Sequence, residues 1–287
     1  LTRKPQKKFL INNTTTEDAF DKFKQANKFW FQEKGLNINQ IYSTYFSETK
    51  ANKIIEEADK SLKHIFNISD IQGFQFDDGI NWNIDIKTKK TWPEKYQGDI
   101  YFHSPEFGGV LYVWLLNRFT HFYRLGSAFQ LTKDEKYASE IINQISSWIE
   151  QNPYLIGVNW TSPLEMSIRV IAWIWALEMI KESNALSKEF FSRVIQVINF
   201  HADYIYNNLS LHGSANNHLI GEVSGLVFVG SFLPFLKNAE KWKKKGLSVL
   251  EDEIPKQILE DGAGAEQATA YLAFVIDFYI QAYYIAK

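Results

Sequence analysis

Apolar residues recur at helical spacing through most of the chain after residue 107. Tyr137, Ile141, Ile145 and Trp148 illustrate the spacing, because residues three or four apart lie on one face of a helix. The same period predicts further helices over 164–175, 188–208, 216–233, 242–257 and 266–286. Short links between such helices favour antiparallel pairing. The pattern therefore predicts helical hairpins, and it does not decide between a bundle and a closed ring.

Two of these helices have starting signals in the sequence. Thr132 with Glu135, and Ser162 with Glu165, have the spacing of a capping box, in which a hydroxyl and a carboxylate each bind a backbone amide of the other residue. Pro163 suits the first helical position, because the amide there has no partner within the helix. We therefore predict helices that begin behind Thr132 and Ser162.

The first 66 residues combine a basic leader with two helical patterns. Residues 3–8 contain four basic side chains, and we expect this leader to be a mobile arm. The helical period then returns over 17–34 and 50–66, which predicts two helices.

Between residues 67 and 107, glycine and proline interrupt the helical period. The run 80–86 alternates apolar and polar residues, a pattern typical of a strand. We predict a long irregular segment with a β-hairpin, and long ordered loops are often functional. The expected organisation is an N-terminal region over 1–106, made of arm, helices and loop, that packs on a helical domain over 107–287.

Composition narrows the possible partners of the chain. The 287 residues are 45% hydrophobic and 22% charged, with a formal net charge of −2, which is typical of a globular protein. Such a charge argues against nucleic acid as a partner, because no overall positive field attracts phosphates. The apolar runs are too short for a membrane span. The absence of cysteine excludes disulfides and thiolate metal sites.

Four blocks of the sequence carry candidate chemistry. They are WLLNR at 114–118, NWTSPLEMSIR at 159–169, NNHLIGE at 216–222 and EDGAGAEQATAY at 260–271. The order of these blocks and the residues within each, from about residue 100 onwards, resemble the heparinase II/III superfamily of polysaccharide lyases. The resemblance implies an all-α catalytic domain with the shape of an incomplete α/α toroid, followed by a β-rich domain.

The resemblance implies a role for Asn217 and His218. The Asn217 amide would bind the substrate carboxylate and so make the neighbouring C5 proton removable, although Asn216 leaves this register open by one residue. His218 would act as the base, with Glu222 one helical turn later to orient it. A cap of the helix for Asn217 and a structural or metal-binding role for His218 stay open. A histidine of the β-rich domain is another source of the base.

The tyrosine and arginines of the blocks complete the implied site. Tyr271 would protonate the leaving glycosidic oxygen and could also remove the C5 proton, with Gln267 one turn earlier on the same helical face. The residues predicted to bind substrate are Asn117, Arg118, Arg169, Glu222 and Gln267. Guanidinium groups bind carboxylates and sulfates well. Either arginine could also stabilise the Tyr271 phenolate. For Arg169, an ion pair within its own helix is the alternative, with Glu165 as the partner.

The expected function is cleavage of an acidic, uronate-containing polysaccharide by β-elimination, without a cofactor or a metal. One alternative is an inverting glycoside hydrolase that uses Asp261 and Glu222. The other is a non-catalytic protein that binds glycans or assists assembly. The helical pattern is still running at Lys287, so we expect a C-terminal β domain of the same protein as a partner. The resemblance to these lyases favours a periplasmic or secreted location for the protein.

Overall fold

The computed structural model describes residues 9–11, 14–26, 38–101, 106–213 and 215–286. The structure is 63% helical, which confirms the predicted all-α class. Within the described ranges the helices are α1 (Thr16–Gln25), α2 (Ile38–Tyr45), α3 (Glu48–Leu62), α4 (Val110–Leu116), α5 (Phe122–Thr132), α6 (Glu135–Gln151), α7 (Pro163–Met179), α8 (Lys188–Asn207), α9 (Asn217–Phe232), α10 (Ala239–Gln257) and α11 (Thr269–Ala286). Two 3-10 turns cover Gln97–Asp99 and Val158–Trp160.

The helices from α5 onwards form two layers. Alternate helices α5, α7, α9 and α11 pack side by side, and α6, α8 and α10 pair with their neighbours along the chain. Because each outer helix returns the chain between two inner ones, the inner helices run in one direction. The result is the predicted incomplete toroid of helical hairpins, in which the loops before the four inner helices meet at one end.

The inner helices α7 and α9 are buried on almost all sides. They carry apolar residues around their whole circumference, so neither helix has a polar face for solvent. Gly221 of α9 allows the close packing of this layer. A Cβ atom at this position would lie 2.3 Å from Leu164 Cδ1 and 3.1 Å from the Phe278 ring, so α7 and α11 approach α9 where it has no side chain.

Short strands occupy the segment before residue 107, as predicted. Strands β1 (Ile65–Ile68) and β2 (Ile71–Gln75) form an antiparallel hairpin, and β3 (Ile84–Asp85) pairs with β4 (Lys90–Thr91). The predicted helix over 50–66 is too long at its C-terminal end, because α3 stops at Leu62 and β1 follows.

The N-terminal region and the toroid share one hydrophobic core. Phe66 and Trp82 belong to the same buried cluster as Leu164 and Phe228, so the segment before residue 107 packs directly on the helices. The basic leader and the end of the predicted helix 17–34 lie outside the described residues. No helix in the described ranges combines the length and the apolar character needed to cross a lipid bilayer.

The two predicted capping boxes differ from the observed helix starts. Thr132 ends α5, where its hydroxyl donates to the Ala128 carbonyl oxygen at 2.7 Å. Asp134 caps α6 instead, by accepting a hydrogen bond from the Lys136 amide at 3.1 Å. Ser162 does cap α7, through the amide of Glu165 at 3.4 Å. The reciprocal half of that box is missing, because the Glu165 carboxylate binds another residue.

Candidate functional site

The candidate residues gather at the end of the toroid where the inner helices begin. Asn117 and Arg118 precede α5, Asn217 and His218 form the first turn of α9, and Tyr271 lies in the first turn of α11. Helix direction therefore brings together blocks that are far apart in the sequence. This end of the toroid is called the opening. The structure separates the candidate residues, however, into side chains near the surface of the opening and side chains that are buried beneath it.

Asn217 is the first residue of α9, and its side chain faces the loop before α11. The Asn217 Nδ2 atom lies 2.9 Å from Glu266 Oε1 and 2.8 Å from Glu266 Oε2, and the Asn217 backbone amide donates to Glu266 Oε1 at 3.0 Å. The capping role belongs to Asn216, whose side chain accepts from the His218 amide at 3.1 Å. Asn216 therefore caps α9, and the Asn217 side chain does not.

A tight hairpin over 258–268 presents Glu266 to Asn217. Leu259 and Ala263 join its two sides through a hydrogen bond of 2.9 Å, and Gly262 has a φ of +84°, a conformation that favours glycine. The Gln257 side chain, at the end of α10, donates to the Ala215 carbonyl oxygen at 3.0 Å. This bond ties the hairpin to the loop before α9.

Tyr271 lies near Glu266. It is 50% exposed and borders a shallow depression. The residues that line the depression are Gln257, Gly264, Ala265, Glu266, Tyr271, Leu272 and Val275. Glu266 therefore lines the same depression as Tyr271 and binds Asn217, which is not a lining residue and is itself only 5% exposed.

His218 and Glu222 do not form the predicted pair. Both Glu222 carboxylate oxygens bind Ser210 at 2.7 Å, one through the backbone amide and the other through the hydroxyl. The His218 imidazole is half-buried and makes no hydrogen bond with any residue of the described ranges. The prediction that Glu222 orients His218 is wrong, because the loop before α9 supplies closer donors to the carboxylate.

Glu222 is a structural residue beneath the opening. Its side chain is fully buried, and burial raises the pKa of this carboxyl group from 4.5 to about 7, although the Ser210 donors favour the charged form. A fully buried carboxyl group cannot reach a polysaccharide, so the predicted substrate contact of Glu222 is also wrong.

The raised pKa of Glu222 predicts a pH-dependent contribution to stability. The folded state holds the proton more tightly than the unfolded state does, so the contribution is complete below about pH 4.5 and is lost as the pH rises to about 7. An increase of this size corresponds to at most about 3 kcal/mol. Chemical denaturation from pH 4 to 8 should show Glu222→Gln gaining stability relative to the native chain as the pH rises. A difference that stays constant over this range contradicts the assignment.

Arg118 forms an ion pair at the edge of the opening. Its Nε and Nη2 atoms donate to the two oxygens of Glu165 at 2.7 and 2.6 Å. Burial alone would lower the pKa of Arg118, but the Glu165 carboxylate raises it above its ordinary value. The side chain keeps 24% exposure and, with the exposed Arg124, lines a cavity of about 210 Å³. This cavity shares no lining residue with the depression beside Tyr271.

Arg169 lies in the protein core and is not exposed to solvent. It is fully buried, and it donates to the carbonyl oxygens of Asn117 and Asn159 at 3.1 and 3.2 Å. Its third partner is the Nε2 atom of His201 at 3.0 Å. Burial lowers the pKa of Arg169 to about 9, which still leaves the guanidinium charged at neutral pH. Both predictions for Arg169 are wrong, since it neither faces the substrate opening nor pairs with Glu165.

Asn117 and Gln267 also differ from their predicted roles. Asn117 is 1% exposed and its amide binds the carbonyl oxygens of Trp82 and Val113 at 2.8 and 2.7 Å, so it connects the irregular segment to α4 rather than contacting a ligand. Gln267 is exposed but lies before α11, with a φ of +53°. The helical spacing between Gln267 and Tyr271 therefore does not exist.

Comparison with known proteins identifies the family of the chain. The family described as Heparinase II/III N-terminus matches residues 9–287. The chain belongs to this family. It is similar to the heparin-sulfate lyase of Pedobacter heparinus, with 29% identity over 96% of this chain and 40% of the relative. It is also similar to the heparin-sulfate lyase of Bacteroides thetaiotaomicron, with 32% identity over 69% of this chain and 29% of the relative.

Solved structures of the family share the fold. The crystal structure of heparan sulfate lyase HepC from Pedobacter heparinus has a TM-score of 0.67 and 26% sequence identity, over 94% of this chain and 39% of that chain. This heparinase II/III N-terminal chain therefore spans about two fifths of the length of that relative. The incomplete toroid predicted from the sequence blocks is confirmed as the family fold.

Glu266 was not among the site residues predicted from the sequence. Glu266 belongs to the block 260–271, but it lies 49 positions from Asn217, its hydrogen-bond partner. No local spacing connects the two residues, and only the folding of the hairpin 258–268 brings them together.

Across the described residues, no cluster of three histidine or carboxylate side chains is arranged to hold a metal ion.

Proposed function

We propose that this domain provides the catalytic opening of a polysaccharide lyase that cleaves a uronate-containing glycosaminoglycan. The observation that carries the proposal is the common neighbourhood of Asn217 and Tyr271 around Glu266, at the end where the inner helices begin. Asn217 offers an amide donor on a residue that is 5% exposed, and Tyr271 offers a half-exposed phenol. The similarity to lyases over nearly the whole chain supports the same reaction class.

The proposed reaction is a β-elimination. The Asn217 amide binds the uronate carboxylate, so that negative charge developing at C5 is stabilised. A base removes the C5 proton, the electron pair forms the C4–C5 double bond, and the bond from C4 to the glycosidic oxygen breaks. Tyr271 gives its proton to that oxygen. The base is a histidine in this scheme, with His218 and a histidine of a further domain as its two sources.

We propose heparan-sulfate-type chains as the substrate class. The named activity of the relatives supports this class. Arg118 and Arg124 line the separate cavity described above, and guanidinium groups bind carboxylates and sulfates well. The formal net charge of −2 favours regions of low sulfation, because the chain as a whole does not attract a dense polyanion.

The buried position of Glu222 argues against the hydrolase alternative. An inverting hydrolase needs two carboxyl groups on opposite sides of the glycosidic bond. Glu222 is fully buried, while Asp261 accepts a hydrogen bond from the Ala263 amide within its own exposed hairpin. These two groups therefore cannot act on one sugar.

We further propose that a C-terminal domain of the same protein covers the opening. Helix α11 exposes large apolar side chains along its length, and among them are Tyr271, Ile276, Ile280, Tyr283 and Tyr284. A helix in a finished core would bury such residues. The chain spans about two fifths of the Pedobacter relative, which leaves room for a domain of this kind.

A comparison of two protein lengths tests this proposal. The chain extended to the length of its relatives should release unsaturated uronate from heparan sulfate, and residues 1–287 alone should be slower by a factor of ~10² or more, because a missing base or cover removes much of the catalysis. The absorbance of the unsaturated product measures the rate. Equal rates would show that His218 and Tyr271 suffice without a further domain.

The source of the base is tested in the extended protein. His218→Gln should lower the rate by ~10² or more if His218 removes the C5 proton. A rate close to that of the native protein assigns the base to a histidine outside this chain.

A further inference from the structure

We propose that Glu266 is a positioning residue that fixes the Asn217 amide in the orientation needed to bind the uronate carboxylate. This inference rests on the proposed lyase function. It is independent of which histidine acts as the base. Its evidence is the set of three hydrogen bonds that join the Glu266 carboxylate to the Asn217 side chain and backbone.

Glu266 determines which end of the Asn217 amide faces it. An ionised carboxylate only accepts hydrogen bonds, so the nitrogen of the Asn217 amide must face Glu266 and the oxygen must face away. Without Glu266, the two ends of the amide would compete for the same position. A substrate carboxylate also accepts only, and an amide with its oxygen towards the substrate would repel it.

One of the two Asn217 side-chain N–H hydrogens is left for a substrate. Both Glu266 oxygens lie within 2.9 Å of the same Asn217 nitrogen. The two oxygens of one carboxylate subtend a narrow angle at that distance, whereas the two hydrogens of an amide nitrogen diverge by roughly 120°. Only one hydrogen therefore points at Glu266. The other hydrogen has no partner among the described residues, and we assign it to the substrate carboxylate, which must reach a residue that is 5% exposed.

Contacts with the N-terminus of α9 hold the Glu266 carboxylate in position. The Asn217 backbone amide is a donor without a partner inside α9, and it donates to Glu266 Oε1 at 3.0 Å. Carboxylates are favoured at helix N-termini, where the helix dipole is positive. The bond from Gln257 to the Ala215 carbonyl oxygen connects the two loops. Glu266 is thus held by the helix end and can serve as a fixed reference for the side chain.

The test is a set of variants in the extended, active protein. Glu266→Ala should lower kcat by about tenfold to a hundredfold, because a misplaced catalytic group can reduce the rate by up to about 10², while KM changes little. Glu266→Gln should retain more activity, since its amide oxygen still accepts a hydrogen bond. Asn217→Ala should lower kcat more, and adding Glu266→Ala to it should have no further effect.

A matched control and a second measurement make the outcome decisive. Glu260→Ala removes an exposed carboxylate in the turn of the same hairpin and should leave kcat unchanged. In the NMR spectrum, the side-chain amide hydrogen of Asn217 that binds Glu266 should move towards its solvent value in Glu266→Ala, a change that needs no turnover to observe.

Three results overturn the positioning role. They are an unchanged kcat in Glu266→Ala, a further loss when this change is added to Asn217→Ala, and an increased kcat that would mean Glu266 blocks the substrate. Failure of the lyase proposal is distinct, because in that case Asn217→Ala would leave the turnover of uronate polymers unaffected.

Discussion

Replacing Tyr271 by phenylalanine should reduce lyase turnover by a factor of ~10²–10⁴, the range that a general acid or base contributes. The change removes only the phenolic hydroxyl, which is the proposed proton donor to the leaving oxygen. The ring, which lines the depression beside Glu266, stays in place. The loss should therefore appear in kcat. The rate of unsaturated product formation by the extended protein measures it.

Tyr45→Phe is the matched control for this prediction. Tyr45 lies on α2, away from the proposed site, and is 69% exposed, so loss of its hydroxyl should leave turnover unchanged. Full activity of the Tyr271→Phe variant would remove this tyrosine from the mechanism.

Replacing Arg169 by methionine should lower the free energy of unfolding by ~3–5 kcal/mol, because three buried neutral acceptors each lose a donor, at about 1–3 kcal/mol per group. Methionine keeps a long side chain but has no donors. The carbonyl oxygens of Asn117 and Asn159 and the Nε2 atom of His201 would then lose a hydrogen-bond partner in the core. Chemical denaturation of the chain measures the change.

The neutral state of His201 supports this prediction. Its Nδ1 atom donates to the Val197 carbonyl oxygen at 2.8 Å, so the Nε2 atom is left to accept from Arg169. Burial and the nearby Arg169 lower the pKa of His201 well below its ordinary value. Arg124→Met, at an exposed arginine, is the control and should have little effect. Equal losses in the two variants would contradict the buried network.

The sequence predicted the fold well because helix formation is largely local here. Apolar spacing located the helices from α6 to α10 to within a few residues at most ends, and α8 and α9 differ from prediction by at most one residue at each end. It gave no range for the inner helix α5. The predicted start of α11 was less accurate, since the loop over 258–268 forms a hairpin and delays the helix to Thr269. Glycines alone do not reveal how far such a hairpin extends.

The site was less predictable, because competition between partners decides it. Glu165 could pair with Arg169 by helical spacing, but Arg118 holds both of its oxygens, and Arg169 is drawn into the core. Glu222 could orient His218 by the same spacing, but Ser210 supplies two donors. Helical spacing states which pairs are possible. Only tertiary structure shows which partner is closer.

The masses of the products formed from a defined heparan sulfate oligosaccharide test the central claim most directly. We predict that the extended protein yields pairs of fragments whose masses sum to that of the intact oligosaccharide, because β-elimination adds no water, and that one fragment of each pair carries the unsaturated uronate chromophore. Fragment pairs heavier than the substrate by one water, without the chromophore, would show hydrolysis and contradict the lyase assignment.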